Sequence, residues 1–186
     1  MAWAGIAAAL AAMLWALPWN AWIGEFATHM LRHIALVAIV APVLALAMPE
    51  RWRGFAPPVL AGAVVEFFVV WGWHLPGPYL ASTEAGWIEA AQYLSFLIVG
   101  LAVWWGAFAA ESPLVGAAGL FLTSMHMTLL GAILIFAGRT ICDNGMTLAD
   151  QHLGAMIMLA VGTPAYLLGG LVLASRVLSL PEERST

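Results

Sequence analysis

The sequence contains no lysine and little charge of either sign. Only 9% of its 186 residues are charged, against about 25% in an ordinary soluble domain. Six arginines supply all the fixed positive charge, and the formal net charge is −4. This composition excludes the basic patch on which nucleic-acid binding depends, so we expect no nucleic-acid partner.

Cysteine is equally scarce. The single cysteine, Cys142, excludes an internal disulfide and any metal site built from several thiolates. A bound metal ion must therefore be held by histidine, methionine or carboxylate side chains.

Hydrophobic residues, by contrast, make up 63% of the chain, against roughly 45–50% in soluble domains. The mean hydropathy is +0.95. A chain this short cannot hide so much apolar surface from water, and it lacks the polarity of disordered chains. The sequence therefore predicts an integral membrane protein in which residues 1–186 form one membrane domain.

The apolar runs are long and uninterrupted by charge, which predicts an all-α bundle of about six transmembrane helices. The predicted spans are 2–17, 28–48, 55–74, 87–109, 114–137 and 148–177. Pro42 and Pro164 lie inside two spans and are expected to distort them locally. A secretory signal peptide is the competing interpretation of the first span. The start of this span carries no positive charge, which favours a retained helix.

The arginines predict the orientation of the bundle. Arg51 and Arg53 lie between the second and third spans, and Arg176 and Arg184 follow the sixth. Basic residues accumulate on the cytoplasmic side of membrane proteins. Six spans then place both termini in the cytoplasm, and the other connections face outward.

The five histidines follow this predicted arrangement. His29 and His33 lie in the first turns of the second span, His74 ends the third, and His152 begins the sixth. These four therefore share one depth near the outer surface, whereas His126 lies near the middle of the fifth span. The pattern predicts a metal site near the outer face.

The ligand types favour copper among the common metals. His29 and His33 are four residues apart, so they share one helix face and can chelate a single ion. Met30 and Met156 lie near these histidines in sequence and can add thioether ligands. Imidazole and thioether together favour copper over zinc or calcium. The competing interpretation is that these methionines serve only in packing.

Several polar residues are candidates for supporting roles. Glu25 precedes His29 by four residues, and Asp150 and Gln151 directly precede His152. A carboxylate beside a metal-binding imidazole fixes the orientation of its ring, which is the role expected of Glu25 and Asp150.

Glu66 lies alone in the middle of the third span. A carboxylate at that depth is costly, so we expect it to face the bundle interior. His126, at a similar depth, is its expected partner. The alternative is a neutral acid hydrogen-bonded to Ser95 or to a backbone carbonyl.

Three segments carry a resemblance to a known family. They are His29-Met30-Leu31-Arg32-His33 followed by Ala41-Pro42, then Trp73-His74-Leu75-Pro76, then Asp150-Gln151-His152-Leu153-Gly154 through Met158. In this order they resemble the HMxxH…AP, WHxP and DQxxG…M segments of the CtaG-type cytochrome c oxidase assembly factors. The resemblance extends over most of the chain, from residue 29 to residue 158.

The resemblance implies a multi-pass protein of the bacterial inner membrane that helps build a haem–copper oxidase. It implies a copper-supplying role without catalytic turnover, with an oxidase subunit or a copper chaperone as partner and self-association left open. His29, His33, His74, Asp150 and Gln151 carry over from the family segments, whereas His126 and His152 rest mainly on their depth.

Two other functions remain open at this stage. A b-type cytochrome subunit would bind haem through the same histidines and would show a Soret band. A proton or metal transporter would use Glu66 and His126 as a relay and would show flux in liposomes.

Overall fold

The computed structural model describes residues 2–141 and 146–178, so Cys142 lies outside the described residues. These residues form helices and no strands, which confirms the predicted all-α class. The helices are α1 (Ala2–Ala16), α2 (Trp19–Ile23), α3 (Glu25–Ala35), α4 (Ala41–Ala47), α5 (Val59–Trp73), α6 (Pro76–Glu84), α7 (Gly86–Ala109), α8 (Pro113–Phe136), α9 (Leu148–Ile157) and α10 (Thr163–Leu178). A 3-10 helix, Glu50–Phe55, joins α4 to α5.

Four helical runs are long and apolar enough to cross a membrane. They are Glu25–Ala47, Gly86–Ala109, Pro113–Phe136 and Leu148–Val177, and they agree closely with the second, fourth, fifth and sixth predicted spans. α1 has 15 residues and a length of about 22 Å, short of the roughly 30 Å hydrocarbon core.

The third predicted span, 55–74, corresponds to α5, which begins later, at Val59, and ends at Trp73. α6 follows after a bend of 70°, and α5 and α6 qualify as a membrane span only when they are taken together. Pro76 explains the break, because proline cannot continue a helix and holds the preceding residue extended. Leu75 accordingly has ψ of 146°. The described residues thus contain four or five candidate spans, roughly consistent with the six expected.

Two spans contain a π-helical turn directly before a proline-containing turn. Leu36–Val40 joins α3 to α4 before Pro42, and Met158–Gly162 joins α9 to α10 before Pro164. Proline lacks the N–H that would continue the normal ladder, so the preceding turn widens. Side chains from other helices then use the released carbonyls: Trp104 Nε1 donates to the Val37 carbonyl oxygen at 2.9 Å.

The helices pack in alternating directions, which brings specific ends together. α3 packs against α9, and α5 packs against α7 and α8. The N-terminus of α3, the C-terminus of α5, all of α6 and the start of α7 therefore lie at one end, called here the histidine face. The 3-10 helix with Arg51 and Arg53 lies at the opposite end, called here the arginine face.

Candidate functional site

Three imidazole rings meet just inside the histidine face. The ring centroids of His33 and His74 are 5.2 Å apart, those of His29 and His74 are 5.7 Å apart, and those of His29 and His33 are 6.4 Å apart. His33 is fully buried and His29 is 7% exposed. The structure therefore brings together three of the four histidines expected at this depth. We call them the histidine cluster.

Local sequence explains how each ring is positioned. His29 and His33 are one helical turn apart on α3, so both project from one face. His74 follows the last residue of α5, and its N–H bonds back to the carbonyl oxygens of Val70 and Trp71. The bend that Pro76 imposes ends the span there, so His74 stands at the helix end beside α3.

The ring nitrogens of the cluster are only partly satisfied. His29 Nδ1 lies 3.2 Å from the Tyr93 hydroxyl, and His74 Nδ1 lies 2.6 Å from the Val70 carbonyl oxygen. A carbonyl only accepts, so His74 donates through Nδ1, and Nε2 keeps its lone pair. His29 Nε2, His74 Nε2 and both nitrogens of His33 are buried without a partner among the described residues.

Such unpartnered nitrogens are costly unless something binds them. A metal–imidazole bond is about 2.0 Å long and the ring centroid lies roughly 1 Å beyond the nitrogen, so rings sharing one ion have centroids about 5–6 Å apart. The two spacings that involve His74, 5.2 and 5.7 Å, fit this range, and the 6.4 Å between His29 and His33 lies slightly above it. Within the described part of the chain, however, no group of three or more His, Cys, Asp or Glu side chains is already in position to hold an ion. Binding therefore requires the rings to rotate about χ2, a soft torsion.

Aromatic side chains from other helices surround the cluster. The Phe96 ring lies 4.1 Å from that of His33, and the Tyr79 ring lies 5.4 Å from that of His29. Tyr93 adds both a ring contact and its hydroxyl to His29. Sequence analysis did not single out these residues. The signal available in the sequence was the polar pair Gln92-Tyr93, in a predicted span that also contains Glu89 and Ser95.

A polar cavity of about 210 Å³ opens beside the cluster at the histidine face, and we call it the vestibule. It is lined by Asn20, Glu25, Thr28, His29, Arg32, Tyr79, Ser82, Thr83, Glu89, Gln92 and Tyr93. His29 belongs to both the vestibule and the cluster, so the cavity gives access from the surface to the imidazole rings.

The structure places the other predicted ligands outside the histidine cluster. Among the described residues, the rings of His126 and His152 make no ring contact with the three histidines; His126 instead packs against Phe67 with centroids 5.6 Å apart. Met30 is fully buried, and Met156 is 50% exposed. The Met30 side chain packs where α3 meets Gly154 of α9.

Asp150 and Gln151 have structural partners instead of the imidazoles expected. The two Asp150 carboxylate oxygens accept from the backbone N–H groups of Phe26 and Ala27, at 3.0 and 2.9 Å, and so cap the start of α3. Gln151 is fully buried. Its Oε1 accepts from Ile141 N at 2.8 Å and its Nε2 donates to the Leu134 carbonyl oxygen at 3.0 Å. A carboxylate at a helix N-terminus satisfies donors that the helix itself cannot pair.

Glu25 also differs from the expected role, since Tyr93 and not Glu25 contacts His29 Nδ1. Glu25 instead lines the vestibule from the first turn of α3.

Glu66 faces the interior as predicted, with no exposed surface, but its partners differ from those expected. Its Oε1 lies 2.7 Å from the Tyr166 hydroxyl, and its Oε2 accepts from Thr123 at 3.1 Å. Ser95, the alternative partner, bonds to Trp73 Nε1. His126 is not among the hydrogen-bond partners described for Glu66, because α10 brings Tyr166 into the same layer.

Comparison with known proteins gives one family match. The family model described as cytochrome c oxidase caa3 assembly factor (Caa3_CtaG) matches residues 50–179. The matched range contains His74, His126 and His152 and begins after His29 and His33. The comparisons with curated proteins and with solved structures gave no match.

Proposed function

The chain belongs to the cytochrome c oxidase caa3 assembly factor family, and on this premise we propose that it binds a copper ion at the histidine cluster and passes it to the oxidase. Copper is the cargo of this process and not a resident cofactor. The protein itself would carry out no catalytic turnover. Its partners would be an oxidase subunit that receives the ion or a copper chaperone that delivers it.

One observation carries the proposal: two buried imidazoles and one half-buried imidazole from two spans have ring centroids 5.2–6.4 Å apart, and each ring has an unpartnered nitrogen. Neutral imidazoles suit copper, and a site of two or three nitrogen ligands can release an ion as well as hold it. The hydrogen bonds at His29 Nδ1 and His74 Nδ1 are the outer contacts that fix metal-binding rings.

The same packing favours a small ion over haem. A haem between two axial histidines needs a flat slot, whereas His33 lies against Phe96 with ring centroids 4.1 Å apart.

We also propose that the arginine face lies in the cytoplasm of a bacterial cell and the histidine face lies outside its inner membrane. The positions of Arg51 and Arg53 support this orientation. The histidine cluster would then receive copper from the outer side.

Metal analysis of the purified protein tests the copper proposal. The wild type should retain copper after dialysis, and the His29→Ala/His33→Ala double variant and the His74→Ala variant should lose most of it. His152→Ala is the matched control, because among the described residues its imidazole makes no ring contact with the three histidines, and it should retain wild-type copper content.

Other outcomes would contradict the proposal in different ways. Equal copper content in the wild type and the double variant would show that the histidine cluster is not the copper site. A Soret band in the purified protein would identify a haem protein, and ion flux through liposomes without retained copper would identify a transporter.

A further inference from the structure

We propose that the vestibule is a binding site for a hydrated divalent cation, Cu²⁺ in the first instance, which it passes to His29. This inference rests on the proposed copper function and adds the chemical form in which the ion arrives. The argument uses the hydrogen-bonding state of the lining, one buried amide and the charges at the rim.

Three of the hydroxyl groups that line the vestibule present lone pairs to it. Thr28 donates its hydroxyl proton to the Gly24 carbonyl oxygen at 2.7 Å, Ser82 donates to Tyr79 O at 2.7 Å, and Thr83 donates to Leu80 O at 2.8 Å. A hydroxyl has only one proton, so each of these three oxygens is left as an acceptor. Such acceptors suit a ligand that donates hydrogen bonds, as the water shell of a cation does.

A buried amide supplies an independent sign of a ligand. Gln92 is fully buried and lines the vestibule, and neither its Oε1 nor its Nε2 has a partner among the described residues. Buried side-chain amides are nearly always hydrogen-bonded. Water bound to a cation in the vestibule would donate to Oε1.

The charges at the rim favour a cation. Glu25 is exposed in the first turn of α3, and Glu89 is 43% exposed with Arg32 at 3.7 Å. Arg32 is held against the wall by other contacts: its Nε donates to the Leu14 carbonyl oxygen at 3.1 Å, and its guanidinium lies 5.4 Å from the Trp15 ring centroid. Two carboxylates and one guanidinium leave the vestibule with a net negative charge.

The ligand types change from oxygen at the surface end of the vestibule to nitrogen at its inner end, which suits inward transfer of the ion. Oxygen ligands hold a hydrated divalent ion weakly, and imidazole binds Cu²⁺ more strongly than they do. His29 lies at the boundary between the two environments. An ion that exchanges water for the His29 nitrogen therefore moves from a weaker site to a stronger one.

Stopped-flow mixing of the full-length protein with Cu²⁺ tests this role, with quenching of tryptophan fluorescence as the signal. The Glu25→Gln/Glu89→Gln double variant should associate about tenfold more slowly and with weaker salt dependence, because fixed charge steers ions into a cleft. Glu84→Gln/Glu111→Gln is the matched control, since it removes the same charge outside the vestibule. Gln92→Leu should also slow association without any change in charge. Copper bound at saturation should remain at the wild-type level in all three.

Three outcomes would overturn the inference. Equal association rates for the two double variants would exclude the vestibule as the path while leaving copper binding at the cluster intact. Loss of the copper bound at saturation in the Glu25→Gln/Glu89→Gln variant would show that the two carboxylates are ligands of the bound ion and not only part of its entry path. A wild type that takes up no Cu²⁺ would overturn both the vestibule and the proposed function.

Discussion

The Tyr166 hydroxyl oxygen lies 2.7 Å from Glu66 Oε1, which joins two spans across 100 residues of sequence. The same hydroxyl lies 3.1 Å from the Val37 carbonyl oxygen. A tyrosine has one proton to donate and a carbonyl can only accept. Both contacts are hydrogen bonds only if Tyr166 donates to Val37 and Glu66, as a neutral acid, donates to Tyr166.

Substitution of Glu66 tests this assignment. Glu66→Gln should lower the free energy of unfolding by less than about 1 kcal/mol, because an amide can donate to Tyr166 and accept from Thr123. Glu66→Leu should cost about 1–3 kcal/mol, because it leaves the buried Thr123 hydroxyl without its acceptor and Tyr166 without its donor. Thermal unfolding in detergent measures both, with exposed Glu111→Gln as the control. A Gln variant as unstable as the Leu variant would mean that the charge is used.

Tyr93 should affect copper binding through His29. Tyr93→Phe keeps the ring contacts and removes the hydroxyl beside His29 Nδ1. Loss of such an outer contact lowers metal affinity by about 10–100-fold, and we expect the lower end of this range. Competition with a copper chelator measures the affinity. Tyr166→Phe deletes a hydroxyl away from the cluster and should leave it unchanged; equal affinity in Tyr93→Phe would show that Tyr93 does not support the site.

Asp150 should contribute to stability and not to metal binding. Asp150→Ala removes the acceptor for two N–H groups of α3 and should cost about 1–2 kcal/mol, the usual effect of losing a helix cap. Asp150→Asn keeps one acceptor oxygen and should cost less. Both variants should bind copper to the wild-type level at saturation. A stable Asp150→Ala protein that binds no copper would instead support the ring-orienting role expected from the sequence.

Gly24 is restricted by its backbone and by its neighbour. Its φ of 92° is in the region that side chains disfavour, and a Cβ there would collide with the Asp150 carboxylate. Gly24→Ala should therefore destabilise the fold by roughly 1–3 kcal/mol. Gly72→Ala is the control, because a Cβ on this helical glycine meets nothing within 4 Å, and it should be neutral or stabilising. Gly24→Ala should therefore have a lower midpoint of thermal unfolding than Gly72→Ala, and equal midpoints would contradict this prediction.

Cysteine labelling in intact cells tests the proposed orientation. In a Cys142→Ser background, Thr83→Cys at the histidine face should react with a membrane-impermeant reagent, and Trp52→Cys at the arginine face should react only after lysis. The reverse pattern would place the histidine cluster on the cytoplasmic side.

Much of the fold follows from the sequence, because the membrane imposes a simple rule on chain segments. Apolar runs predicted four of the spans to within a few residues, and Pro42 and Pro164 marked both π-helical turns. Membrane depth predicted that His29, His33, His74 and His152 would meet, and the rings of the first three do. Such features depend only on residue spacing and on depth in the membrane. Both can be inferred from one segment of the sequence at a time.

Contacts between distant spans were not predicted. The partners of Glu66 depend on how α10 rotates against α5, and the hydrogen bond between His29 and Tyr93 depends on how α7 packs against α3. Rotation of one helix against another is decided by the packing of many side chains at once, and one sequence does not reveal it. Asp150 was expected beside an imidazole for the same reason: its position in the chain says nothing of the helix end it reaches.

The Asp150 cap on α3 also imposes an order on biogenesis. The segment with His29 and His33 is synthesised early, whereas the carboxylate that completes its first turn lies 124 residues after Phe26. A nascent chain therefore carries these histidines on a helix whose leading N–H groups stay unpaired until the last span has inserted. The stability of this early segment is thereby coupled to insertion of the last span, so folding of the histidine face is completed only at the end of synthesis.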